Sequence, residues 1–129
     1  MHSLAEHWDP PYIEIEIFGR YPENYLRDIE AISIRYASQY DAFGVMEIHH
    51  GKPSNGLWRL FQTGGRISDE LRAAFKKIRC FAIVADEHAT LFRLLAALPR
   101  FGSAELRLFK LHELDDAIDW VSEQVRTRP

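Results

Sequence analysis

Three acidic or basic side chains stand together where a strand pattern gives way to a helix pattern. Asp86, Glu87 and His88 follow an apolar run, at the strand end where open α/β sheets collect their ligands. Asp86 and His88 are therefore candidates for a polar site at this strand end, with groups suited to acid–base chemistry. Neither a nucleophile nor a phosphate-binding glycine loop stands near them in the sequence. The alternative, which we favour, is that Asp86 caps the helix that follows.

The other reactive residue types do not converge on a metal or cofactor site. His49 and His50 are adjacent, and adjacent side chains on a strand point to opposite faces, so we expect one to pack and the other to meet solvent. Cys80 is the one cysteine of the chain, which excludes an internal disulfide and a multi-cysteine zinc site. A free cysteine in an apolar run acts as a small apolar residue. The sequence predicts neither a metal ion nor a cofactor.

Composition indicates one ordinary globular domain over residues 1–129. The chain is 47% hydrophobic and 27% charged, and its net charge of −3 does not favour nucleic acid as a partner. Its longest unbroken apolar run, residues 80–85, is far shorter than the roughly 20 residues of a transmembrane helix. The first residues include Glu6 and Asp9 and lack the apolar segment of a secretory signal. We expect a cytoplasmic domain without a transmembrane segment.

The N-terminal part contains one clear strand. Residues 12–18 alternate strictly, so that Ile13, Ile15 and Ile17 share one face, and we expect this strand near a sheet edge. Residues 1–11 form a poorly defined segment, within which residues 3–7 are a candidate for a short paired strand.

The rest of the chain alternates between helix and strand periodicity. A helix begins at Pro22 and Gly44 follows its end; its apolar face consists of Tyr25, Ile29, Ile32, Tyr36 and Tyr40. A second helix begins after the N-cap candidate Ser68, and its apolar face consists of Leu71, Ala74, Phe75 and Ile78. The further elements are strands over residues 45–50, 80–85 and 104–109 and helices over residues 88–98 and 113–126, with residues 57–62 ambiguous. Because parallel strands joined by helical crossovers cover such a sheet economically, the fold class is α/β. We predict a single-domain mixed, mostly parallel sheet with helices packed on it.

Four of these segments resemble a known family. A basic residue opens and an Asp closes the strand in residues 79–86, and residues 105–109 form a last strand before a closing helix in residues 113–120. Earlier, residues 15–20 form a strand that ends in Gly before the first helix. These motifs resemble the SpoIIAA-like proteins of the STAS superfamily, and the resemblance covers about residues 12–125.

The resemblance implies a fold and a candidate switch residue. The fold is a largely parallel sheet with helices against it, related to the CRAL-TRIO lipid-binding architecture. The superfamily includes anti-sigma factor antagonists, which carry a phosphorylatable serine in an Asp-Ser-Ser-Gly-like loop. The comparable loop here has Ser54 and Gly56 in place, whereas Pro53 and Asn55 depart from the pattern. Ser54 is therefore the candidate phospho-acceptor.

The helix predicted over residues 88–98 has more apolar surface than one sheet face needs. Its core face is extended by Phe92 and Ala96, and Arg93 is its one charge between Leu91 and Pro99. Such a surface suits a subunit interface, a ligand groove or membrane-surface contact, and it also suits ordinary core. The candidate ligand or interface residues are Trp58, Phe61, Leu91, Phe92 and Leu95.

Three functional hypotheses follow from these observations. The first is a non-enzymatic STAS-like regulatory or protein-interaction domain that binds a protein partner or itself, as a homodimer. The alternative is a small binding protein for an apolar, lipid-like molecule, held between residues 57–61 and the third helix. The third is an enzyme that uses Asp86 and His88, for which the sequence supplies no coherent catalytic set.

Overall fold

The computed structural model describes residues 2–18, 25–51, 69–86 and 104–127. These residues form five strands, three α-helices and one short 3₁₀ turn over Leu111–Glu113. The strands are β1 (His2–Trp8), β2 (Pro11–Phe18), β3 (Phe43–His50), β4 (Ile78–Val84) and β5 (Glu105–Phe109). The helices are α1 (Tyr25–Gln39), α2 (Asp69–Phe75) and α3 (Leu114–Thr127). None of the helices in these ranges is both long and apolar enough to span a membrane.

The strands form one mixed sheet in the order β1-β2-β3-β4-β5. The hairpin of β1 and β2 is antiparallel, whereas β2, β3, β4 and β5 run parallel to one another. The predicted fold class, a mostly parallel α/β sheet with helices packed on it, is confirmed. Since parallel strands share a direction, β2, β3 and β4 all end at one edge of the sheet, which we call the carboxyl edge.

The two faces of the sheet carry separate apolar cores. The first core lies under α1 and contains every second residue of β2 together with Ile29, Ile32 and Tyr36 of the helix, and Phe75 of α2 packs against it. The spacing of those three α1 residues places them on one helical face, as the sequence predicts. The second core lies under α3 and joins Ala117 and Val121 to the opposite face of β3 and β4.

Gly44 allows α3 to approach the sheet closely. A methyl group at this position would lie 2.9 Å from Cys80 Sγ, 2.9 Å from Val121 Cγ1 and 3.1 Å from Val125 Cγ2. The sequence pattern predicts Gly44 in the connection before the strand, whereas the structure places it inside β3. The glycine is needed for this close contact rather than for a turn.

The structure confirms the N-terminal hairpin and corrects one boundary. β2 lies near the sheet edge, as predicted, and β1 pairs along its length and takes the edge position. Ile78 is the first residue of β4 and not part of the α2 face, since α2 ends at Phe75. The prediction that residues 80–85 are covered on both faces is confirmed, as all six are buried.

Candidate functional site

Polar side chains gather at the carboxyl edge, where α/β proteins place their ligands. His49 and His50 close β3, and Asp86 lies two residues beyond the end of β4. All three belong to the residues that the sequence singles out. They do not meet in one place, because each is held by a different neighbour.

Glu47 and His49 form a buried pair on the face of β3 that turns toward α1. The His49 Nε2 and Glu47 Oε1 atoms are 2.7 Å apart, and the side chains are 3% and 0% exposed. Their neighbours in the strand register are aliphatic: Ile15 and Ile83 flank Glu47, and Ile17 lies beside His49. Burial of an isolated carboxylate costs several kcal/mol, and contact with the imidazole offsets part of that cost.

Sequence reasoning singled out His49 but not Glu47. The signal that was available is a single acidic residue inside the otherwise apolar run 45–48. A charged residue is almost never fully buried without a partner, and a residue two positions along a strand lies on the same face. Glu47 in a buried strand therefore points to His49 as its partner.

His50 lies on the opposite face and is half-exposed. Its Nε2 is 2.6 Å from Glu16 Oε1, and its ring stacks on Phe18 with centroids 4.6 Å apart. The prediction that His49 and His50 point to opposite faces, one packed and one near solvent, is confirmed. Within the ranges that the structure covers, no three His, Cys, Asp or Glu side chains are grouped so as to hold a metal ion.

Asp86 joins the end of β4 to the start of the C-terminal helix region. Its Oδ1 accepts a hydrogen bond from the backbone N–H of Leu111, 3.2 Å away, at the beginning of the 3₁₀ turn. The side chain therefore satisfies a helix-entry donor at residue 111. The prediction that Asp86 caps the helix directly after it falls on residues outside the described ranges. Its proposed companion His88 lies outside the described residues.

The other site residues of the sequence analysis also lie outside the described ranges. They are the candidate phospho-acceptor and the candidate ligand or interface residues: Ser54, Trp58, Phe61, Leu91, Phe92 and Leu95. Their roles stay predictions. Cys80, by contrast, is fully buried, and its Sγ lies 3.8 Å from the carbonyl oxygen of Val121, which is the packing role expected of it.

Tyr36 ties helix α1 to the N-terminal hairpin. Its hydroxyl donates to the carbonyl oxygen of His7 at 2.9 Å and lies 3.4 Å from that of Tyr12. Burial, with a smaller contribution from the negative charge of Glu6, raises the pKa of Tyr36 to about 12. The phenol is therefore neutral across the physiological range and acts as a fixed donor.

On the face of the sheet that α1 covers, β1 makes two acid–base side-chain contacts with that helix. His2 Nε2 is 2.8 Å from Asp28 Oδ2, and four residues further along Glu6 forms an ion pair with Arg35. Leu4 lies between them and packs against the first core. We call these five residues, three from β1 and two from α1, the β1 rim. Among the described residues no strand pairs with the outer edge of β1, the edge that faces away from β2.

Comparison with known proteins gives one match. A family model described as SpoIIAA-like matches residues 12–122. No curated protein and no solved structure matches the chain. STAS-type domains of this kind are in general regulatory and non-enzymatic, and they commonly interact with proteins. The match spans most of the chain and agrees with the fold, so this chain belongs to the SpoIIAA-like family.

Proposed function

We propose that this chain is a non-enzymatic regulatory domain that acts by binding protein, and that one of its partners is a second copy of itself. Membership in a family of regulatory STAS-type domains supports the first part. The single observation that carries the second part is the outer edge of β1, which pairs with no other strand among residues 2–18, 25–51, 69–86 and 104–127. A strand at a sheet edge presents backbone N–H and C=O groups that another strand can pair with.

β1 lacks the features that usually protect an edge strand. It is seven residues long, contains neither proline nor lysine, and pairs with β2 in a continuous register without a bulge. In the part of the chain that the structure describes, β5 forms the other edge; it is five residues long and carries Glu105 and Arg107 on one face. Short length and charge are the devices that discourage pairing, so β1 is the edge that favours it.

Sedimentation velocity of the full chain tests self-association. We expect a reversible monomer–dimer equilibrium between about 1 µM and about 500 µM, the range in which small interfaces dissociate. A lysine at the exposed edge position, Ser3→Lys, should shift the equilibrium toward monomer. The matched variant Ser122→Lys adds the same charge on α3 and should leave it unchanged. A monomer at every concentration would count against the proposal.

The proposed regulatory role can be tested through a covalent modification of the chain. We propose Ser54 as the phospho-acceptor, on the strength of the resemblance of its loop to that of the anti-sigma factor antagonists. Phosphopeptide mass spectrometry of protein isolated from its own cells should find the modification on Ser54 and lose it in Ser54→Ala. Phosphate found only at other serines would reject this assignment.

Binding of an apolar molecule is the second candidate function. It is favoured by the apolar sequence of residues 91–98 and by the CRAL-TRIO architecture to which the resemblance relates this fold. Native mass spectrometry of gently purified protein would show an added mass, and long-chain fatty acids would raise the melting temperature. A clean apo mass together with an unchanged melting temperature would exclude this candidate.

A further inference from the structure

We infer that two copies of this chain pair through antiparallel β1 strands, about a two-fold axis that passes beside Leu4. The inference rests on the proposed self-association and adds to it the surface, the register and the residues that select the partner. It is drawn from the arrangement of charge and apolar surface on the β1 rim.

The two ends of the rim are complementary to each other. One end carries the Asp28 carboxylate beside His2, and the other carries the Arg35 guanidinium beside Glu6. Asp28, Glu6 and Arg35 are 42%, 44% and 50% exposed, so these groups are accessible to a second molecule. A two-fold axis between the ends brings the Arg35 end of one copy to the Asp28 end of the other, twice in each dimer.

The strand and the helix place that axis at the same point. His2 and Glu6 are centred on Leu4 and span about 13 Å at the usual rise of a strand. Asp28 and Arg35 span about 10 Å of α1 and are centred between residues 31 and 32, with the exposed Ala31 leaving room at the seam. One two-fold axis can therefore relate the two β1 strands and the two α1 helices at the same time.

Only one of the nearby registers suits the side chains. Pairing about Leu4 sets Leu4 opposite the partner's Leu4 and His2 opposite the partner's Glu6, so that an apolar contact is flanked by two polar ones. A shift of the axis to Ala5 would set Leu4 opposite the partner's Glu6, which buries an apolar group against a charge. A shift of the pairing centre to the point between Leu4 and Ala5 would turn the two α1 helices to opposite faces of the joined sheet.

The size of the contact sets the expected strength. The paired edge is about 23 Å long, and the two sheets join into one that continues across the axis. An interface of this size lies at the low end of specific contacts, so we expect a dissociation constant in the micromolar range rather than an obligate dimer. At this strength the exposed charges at the two ends are sufficient to shift the equilibrium.

A pair of charge reversals tests the register. Asp28→Arg places a guanidinium opposite the partner's Arg35, and Arg35→Asp places a carboxylate opposite the partner's Asp28, so each variant alone brings like charges together twice per dimer. We expect each to weaken the homodimer by about tenfold or more. A mixture of the two variants restores opposite charges at both ends and should form a heterodimer, which native mass spectrometry separates from either homodimer by mass.

The controls separate this surface from a general charge effect. Asp119→Arg and Arg126→Asp make the same reversals on the exposed face of α3 and should leave dimerisation unchanged. Each rim variant also loses its contact within the chain, which thermal unfolding will report. That loss persists in the mixture, so recovery of the dimer there must come from contacts between chains.

The outcomes distinguish the two levels of the proposal. If the wild type dimerises and the rim variants do so equally well, or if the mixture gives no heterodimer, the β1 rim is not the interface while self-association stands. If the wild type stays monomeric throughout, the proposed self-association itself is wrong. Weakened homodimers and a restored heterodimer would establish the antiparallel seam.

Discussion

Two His–Glu pairs, one within β3 and one between β2 and β3, differ mainly in their exposure to water. The Glu47–His49 pair is closed off inside the first core, whereas His50 and Glu16 are 37% and 33% exposed on the other face. The distances within the pairs are nearly equal, at 2.7 Å and 2.6 Å. The environment, rather than the contact itself, should therefore decide what each pair contributes to stability.

Breaking the buried pair should cost far more than breaking the exposed one. We expect His49→Leu to lower the free energy of unfolding by about 3–5 kcal/mol, because it leaves the Glu47 carboxylate buried without the imidazole. The matched change His50→Leu should cost about 1 kcal/mol or less, since Glu16 regains water. Urea unfolding of both variants measures the difference, and equal costs would show that burial does not control the pair.

A double substitution tests whether the two buried groups act together. In Glu47→Leu/His49→Leu the total loss should be smaller than the sum of the single losses by about 1–3 kcal/mol. Each single change leaves one polar group without its partner, and the double change removes both. Strict additivity would mean that Glu47 and His49 are held independently by their other neighbours.

Tyr36 gives the protein a measurable response to alkaline pH. Burial raises its pKa from 10.0 to about 12, so the folded state holds the phenolic proton more tightly than the unfolded chain does. The stabilisation is complete below pH 10.0 and declines as pH rises toward the folded value. The stability difference between wild type and Tyr36→Phe should therefore fall by about 1–2 kcal/mol across this interval. Urea unfolding of both proteins at several pH values measures this difference. A stability difference that does not change with pH would contradict the prediction.

At the scale of single elements, the close contact of α3 with the sheet depends on Gly44. We expect Gly44→Ala to lower the free energy of unfolding by about 1–3 kcal/mol, because the new methyl group meets Val121 and the buried Cys80. In a Val121→Ala background part of this crowding is removed, so the added cost of Gly44→Ala should be smaller. Chemical unfolding of the wild type, the two single variants and the double variant measures the coupling between positions 44 and 121. Equal costs of Gly44→Ala in both backgrounds would contradict this prediction.

The strands and helices were predictable to different degrees, for physical reasons. The strict alternation in β2 and the continuous apolar run in β4 identify each strand from local pattern alone. The pairing of β1 was less certain, because Ser3, Glu6 and Trp8 face solvent and break the alternation that marks a half-buried strand. The start of β4 was missed because Ile78 also continues the apolar period of α2.

The candidate site was predictable only in part. Adjacent histidines on a strand must separate to opposite faces, so their arrangement follows from backbone geometry. The partners could not be assigned in the same way, since the link from Asp86 to Leu111 spans 25 residues and depends on where α3 docks. The charges of the β1 rim are likewise brought together by tertiary packing between β1 and α1.

At the scale of the whole molecule, the sheet separates two cores that share no side chains. We expect Ile32→Val in the first core and Val121→Ala in the second to have additive effects on stability, within about 0.5 kcal/mol. The reason is that the two sites lie on opposite sides of the backbone layer and have no common contact. Unfolding of the single and double variants checks this, and a larger interaction would show that the sheet transmits strain between its faces.

The position of α3 in the chain has a consequence for synthesis. The strands β2, β3 and β4 leave the ribosome before residues 114–127, which supply the helical cover of the second core. Until then the apolar residues Met46, Ile48, Ala82 and Val84 lack the cover that α3 gives them, while α1 is already available for the first core. A sheet that exposes apolar surface during synthesis is the kind of species that chaperones protect from aggregation. The second core of the nascent chain thus stays incomplete until residues 114–127 emerge.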